Sequence, residues 1–115
     1  MATETRELSR DEWKGFFDDF SRNLADLTAT VEVEGADVGA QIEAERLHLT
    51  GITYDDGDDI VVIGLDAPGG LKEEAERVIY DPRTIYLATE DGGATTFDIE
   101  DAEGHKPLVR LEPAG

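Results

Sequence analysis

The stretch Thr53 to Val62 reads TYDDGDDIVV and sets four carboxylates, Asp55, Asp56, Asp58 and Asp59, around one glycine. Carboxylate oxygens are what hard cations such as calcium take as ligands, so this loop is the first place to look for chemistry. A calcium loop of EF-hand type needs oxygen ligands at positions 1, 3 and 5, glycine at 6 and glutamate at 12. Starting at Asp55, position 3 falls on Gly57; starting at Asp56, position 5 falls on Ile60. Neither register works. A looser cation site built from the same four aspartates stays open. The competing expectation, and the favoured one, is a hairpin turn that uses Asp and Gly for their backbone tolerance.

The side chains that titrate near neutrality are His48 and His105. His48 stands between Leu47 and Leu49, so the alternation of a strand turns it to solvent, and His105 stands in a polar turn. The two serines have structural roles open to them: Ser9 as a helix cap, Ser21 as a residue on the helix face. That leaves no nucleophile with a base in evident reach. A pair of carboxylates can do acid–base work, but in so acidic a chain such pairs arise by chance. The expectation is therefore a protein that is not an enzyme, with no cofactor and no assigned metal site.

These residues must be positioned by a small framework. The chain has 115 residues and no cysteine, which fits one domain with one core and rules out disulfides and Cys-ligated metals. We expect a globular domain over residues 8–112, with flexible tails at 1–7 and 113–115. From Leu8 to Leu24 the apolar residues Trp13, Phe16, Phe17, Phe20 and Leu24 recur at helical spacing, forming one stripe. Ser9 and Glu12 have the spacing of a capping box, and Leu8 with Trp13 that of a hydrophobic staple.

Beyond the helix the pattern is that of strands. Thr28–Glu34 alternates, and Ala36–Ala44 is ambiguous between a helical turn and a strand. Leu47, Leu49, Ile52 and Tyr54 mark another strand, whose Gly51 suggests a bulge or a bend. Ile60–Leu65 is apolar on both faces, as a central strand would be. Ala67–Ala75 reads as a loop. Val78–Tyr80 and Thr84–Thr89 flank a turn at Asp81-Pro82, and Thr95–Glu100 pairs with Leu108–Glu112 so that Phe97 and Ile99 face Val109 and Leu111. A helix followed by short strands predicts an α+β fold. The expected form is an amphipathic helix across one opening of a strongly curled antiparallel sheet, a small SH3-like or Sm-like barrel. An open antiparallel sheet with the helix on one face is the alternative.

The segments RELSRDEWKGFFDDFSR, LHLTGITYDDGDDIVVIGL and VIYDPRTIYL, taken together, resemble a family of small bacterial proteins of unknown function. The resemblance spans most of the chain and implies a defined fold. It implies no activity, cofactor or site residue.

Charge narrows the partners. Asp plus Glu number 28 against 10 Lys plus Arg, for a formal net charge of -18, and only Lys14, Lys72 and Lys106 are lysines. With no basic stripe to meet phosphate, nucleic acid is excluded as a partner. No apolar run suits a signal peptide or a membrane span, so a cytoplasmic protein is expected. The acid-rich, lysine-poor composition resembles that of proteins from cells with molar internal salt. The leading expectation is a non-enzymatic, salt-adapted interaction or structural module, binding a protein or itself. A small-ligand or cation-binding domain using the barrel mouth and the Asp loop is the alternative, and a carboxylate-dependent hydrolase the third.

Overall fold

A computed structural model describes residues 4–22, 27–35, 39–66, 74–90 and 94–113. The elements run β1 (Glu4–Leu8), α1 (Arg10–Arg22), β2 (Leu27–Gly35), β3 (Gly39–Asp55), β4 (Ile60–Asp66), β5 (Glu74–Tyr80), β6 (Pro82–Thr89), β7 (Thr95–Asp101) and β8 (Lys106–Pro113). The eight strands form one antiparallel sheet in the order β1-β6-β7-β8-β2-β3-β4-β5.

The helix forms where the periodicity puts it, and its start is fixed by local bonds. The Ser9 amide and hydroxyl both donate to the same Glu12 carboxylate oxygen, at 2.9 and 3.0 Å, while the Glu12 amide donates to the Ser9 carbonyl at 2.9 Å. The capping box is thus one-sided, because the Ser9 hydroxyl serves Glu12 instead of accepting a backbone N–H. The staple is complete: Leu8 and Trp13 are both buried, and the indole N–H donates to the Leu8 carbonyl at 2.9 Å. Ser9→Ala should therefore cost stability near the lower end of the about 0.5–2 kcal/mol typical of N-cap truncations, read from a urea titration.

One face of α1 buries Trp13 and Phe17 against the sheet, and Phe16 and Phe20 are partly buried beside them. Phe97 of β7 receives this face, with ring centroids 5.2 Å from Phe17, 5.6 Å from Phe20 and 6.0 Å from Phe16. Trp13 meets Tyr54 of β3 edge-on at 5.2 Å. Leu24, expected at the end of the stripe, lies outside the described residues. Along the strands the inward positions close the same core. Val61, Ile63 and Leu65 alternate on β4, and Phe97, Ile99, Val109 and Leu111 are fully buried on the β7–β8 pair, with Phe97 opposite Val109.

The sheet is not a closed barrel, and the open alternative is the form observed. Closure would need β5 to pair with β1, the other edge, and among the described residues no such pairing forms. The chain leaves β5 through Asp81 alone, at φ 51°, and enters β6 at Pro82. A one-residue link is too short for a hairpin, and both flanks of β6 are already taken, by β7 and by β1. The two strands about Asp81-Pro82 therefore do not pair; they belong to opposite ends of the sheet, which must bend to bring those ends to a common corner.

Other boundaries moved for similar reasons. Glu4–Glu7, expected within a tail, pair in register with Thr89–Tyr86, Leu8 pairs with Ile85, and Pro113, expected in the other tail, pairs with Leu27. Residues 1–3 and 114–115 are outside the described set. The ambiguous Ala36–Ala44 contributes strand from Gly39 onward, and the loop expected over Ala67–Ala75 yields to β5 from Glu74. β4 is next to an edge and buries only alternate residues, where a strand buried on both faces was expected. The bulge suggested by Gly51 is present: Leu49 pairs with Leu65 and Gly51 with Gly64, so Thr50 is the extra residue. A side chain at Gly64 would place its Cβ 2.5 Å from the Thr50 Oγ1, so Thr50 would have to turn its exposed side chain aside, while the nearest backbone atom, the Gly51 carbonyl oxygen, is 3.6 Å away.

Candidate functional site

The Asp loop is the turn between β3 and β4, following the Asp55↔Ile60 pair. Its carboxylates are divided among separate tasks. Asp55 Oδ1 accepts the amides of Gly57 at 2.9 Å and Asp58 at 3.3 Å, which is the local turn bonding that makes Asp common in such positions. Asp59 takes the left-handed backbone region at φ 55°, and its Oδ1 accepts the Tyr54 hydroxyl at 2.6 Å and Arg10 Nη1 at 3.0 Å. Asp56 and Asp58 are exposed. Among the described residues, no three His, Cys, Asp or Glu side chains come together as a set able to hold a metal ion.

Arg10 is the residue that the sequence did not single out. It stands in the first turn of α1, where a cation opposes the positive end of the helix dipole. That mismatch is the one signal that could have drawn attention to it. Its guanidinium lies over Trp13 at 4.6 Å from the ring centroid and donates to Tyr54 Oη at 3.1 Å, to Asp59 and, through Nη2, to the Pro82 carbonyl at 2.8 Å. One side chain thereby joins the helix start, the Asp loop and the corner where β5 becomes β6. The Tyr54 hydroxyl, followed by Arg10, holds the Asp59 carboxyl below the usual carboxylate range. Burial, then the bond to Asp59, pushes the Tyr54 hydroxyl up.

Ser21 also does more than face solvent. Its hydroxyl donates to the Ile52 carbonyl at 2.6 Å and accepts the Ile52 amide at 3.0 Å, bridging the far end of α1 to β3 just past the bulge. His48 is exposed on β3 as expected, its Nδ1 3.0 Å from Asp66 Oδ2. Ser9, Ser21 and His48 are thus placed with no base–nucleophile geometry between them.

A cleft lies elsewhere. With a volume of about 450 Å³, it opens between β5 and the β7–β8 turn. Its floor is Val31 and Val33 of β2 and Pro107 of β8, its one wall Arg77 to Tyr80 of β5 with Asp81, its other wall Asp101, Glu103 and His105. Asp101 organises the second wall. Its Oδ1 accepts the amides of Glu103 and His105, both at 2.9 Å, and its Oδ2 lies 3.1 Å from His105 Nδ1. Asp81 holds the corner, its amide donating to the Asp59 carbonyl at 3.1 Å and its carbonyl accepting the Ala102 amide at 3.0 Å. Tyr80, 68% exposed, stands at the rim. No polar or charged residue is buried among the described residues, although the Asp101 side chain in the cleft wall is only 15% exposed.

A helix laid on an open, bent antiparallel sheet, with a cleft at the sheet's edge, defines a small α+β domain. The chain belongs to the Family of unknown function (DUF5335), whose model matches residues 4–114 and so begins where β1 begins. It is also similar to an uncharacterized protein of Aquifex aeolicus (strain VF5), 34% identical over 110 residues that cover 96% of this chain and 94% of that relative. No solved structure matches it. No helix among the described residues is long and apolar enough to cross a membrane.

Proposed function

We propose that this domain is a salt-adapted, non-enzymatic module that binds another protein through the cleft beside β5. The observation that carries the reading is the combination of an open sheet edge and, beside it, a cleft in which no charged residue among those described is fully buried. A hydrolase of the carboxylate type needs an acid kept neutral by burial. Among the described residues the carboxyls that depart from ordinary behaviour, Asp59 and Glu12, are instead held low by hydrogen bonds and by arginine. Such groups are weaker bases than a free carboxylate.

A photo-crosslinking amino acid at Tyr80 tests the reading inside the source cell. Capture of one discrete protein there, and none from the same residue placed at Asp98 on the outer face of β7, is the expected result. Capture of nucleic acid alone, or turnover of an ester or phosphoester substrate that falls with Asp101→Asn, would overturn it.

The salt-adapted part has its own prediction. A surface of 7001 Å² carrying a net charge of -18 gives about 390 Å² per net charge, a mean spacing of about 20 Å. That exceeds the Debye length of about 8 Å at physiological salt, so the repulsion that matters is local, among close acids. Melting temperature should rise steadily from 0.1 M to 2 M KCl, and equally in NaCl. Asp56 and Asp58 are the loop acids to neutralise, because Asp55 and Asp59 hold the turn together. The Asp56→Asn, Asp58→Asn double variant should melt higher than wild type at low salt and gain less from KCl. A saturable rise with millimolar calcium at constant ionic strength, lost in that variant, would favour the cation-binding alternative.

A further inference from the structure

We propose that the cleft receives an extended segment of the partner with alternating apolar and basic residues, which adds to β5 as a ninth strand. The inference rests on the module reading above and names its ligand.

The hydrogen-bond phase of β5 is fixed by one contact. The Asp81 amide donates to the Asp59 carbonyl, and the register runs on as Ile60↔Tyr80, Val61↔Ile79, Val62↔Val78 and Ile63↔Arg77. Antiparallel pairs alternate between bonded and non-bonded types, so Ile79 and Arg77 direct their N–H and C=O groups to β4. Glu76, Val78 and Tyr80 direct theirs the other way. On that side no strand pairs with β5 among the described residues. Val78 and Tyr80 line the cleft of about 450 Å³, so their outward backbone groups border open space.

The two faces of an added strand would meet different surroundings. On the inner face lie Ile79, which is buried, and the apolar floor of Val31, Val33 and Pro107. Alternate apolar side chains suit that face. On the outer face lie Glu76 and the exposed ring of Tyr80. Lysine or arginine placed there would pair with Glu76 and lie over Tyr80. Asp81, Asp101 and Glu103 on the cleft walls, and the net charge of -18, attract the same cations. Main-chain bonds would supply affinity and the alternating side chains specificity, as in other cases of strand addition.

The test uses isotope-labelled protein and a short capped peptide alternating valine and lysine, at low and at physiological salt. Binding should slow hydrogen exchange at the Val78 and Tyr80 amides. A valine–glutamate peptide should bind at least tenfold more weakly. Val78→Pro should weaken the valine–lysine peptide at least tenfold with the melting temperature kept, since an edge strand tolerates proline where the N–H points outward. Glu76→Lys, which leaves the backbone alone, should weaken the valine–lysine peptide and strengthen the valine–glutamate one. Protection at β1 instead of β5, equal affinity for both peptides, unchanged affinity in both variants, or no binding at either salt would overturn the assignment. The module reading falls separately, through the crosslinking at Tyr80.

Discussion

Phe17→Ala is expected to lower the free energy of unfolding by about 3–5 kcal/mol, the range for removing a fully buried aromatic ring. Phe17 has no exposed surface, and its ring lies 5.2 Å from Phe97 and 5.9 Å from Phe16. The cavity would open where the helix meets β7, and Phe97 on the far side is held by the sheet and cannot simply collapse into it. Small domains have about 5–15 kcal/mol in total, so the variant should be near the edge of folding. Phe20→Ala, at a partly buried position of the same stripe, is the internal comparison and should cost less. Paired urea titrations decide it: a loss below about 1 kcal/mol for Phe17→Ala would mean that the helix does not close the core.

The second large effect is expected from Arg10→Met, which keeps the stem of the side chain and removes its charge. Hydrogen bonds from a charged donor contribute about 1.5–3 kcal/mol in favourable settings, but the Arg10 side chain is 49% exposed, and exposed ion pairs contribute about 0–1 kcal/mol. A loss of about 2 kcal/mol at neutral pH follows, because three acceptors and the Trp13 stacking go together. The pH dependence identifies the cause. Asp59 has a folded pKa below its unfolded one, so its contribution is present above the unfolded value of about 4 and is lost as pH falls through the folded value. Glu12, held low by the Ser9 amide and hydroxyl and then by Arg6, acts in the same direction. Arg10→Met should therefore lose less stability than wild type on acidification below about pH 4. Part of the acid limb should remain, since Tyr54 still donates to Asp59. An acid limb of unchanged depth would remove Asp59 from the account.

What could be read from the chain alone was what local spacing encodes. The aromatic stripe from Trp13 to Phe20 and the facing of Phe97 and Val109 follow from periods of 3.6 and 2. β1 carries no such signal: in ETREL only Leu8 is buried, and the segment is a strand because β6 offers it an edge. The length of β3 was hidden in the same way, since its first part pairs with β2 and its last part with β4. Barrel or open sheet was undecided by pattern, being settled by a one-residue link and a competing strand. The Asp loop was legible as a turn, but the partner of Asp59 lies 49 residues earlier in the chain. The cleft walls come from residues 31 to 107, so only topology assembles them.

The position of β8 has a consequence for how the molecule comes to exist. It comes last in chain order among the described strands, yet it lies between β7 and β2. Without it the sheet is two separate pieces: β1, β6 and β7 on one side, β2 to β5 on the other. Leu27 must wait for Pro113, and Val31 for Val109, so the pairings that unite the pieces span most of the chain. Loops that long close at a high entropic cost before any contact repays it, which places this fold among slow folders. During synthesis each half carries an exposed strand edge until Lys106–Pro113 inserts, and that is the interval in which like-charged side chains along the edges keep nascent copies apart.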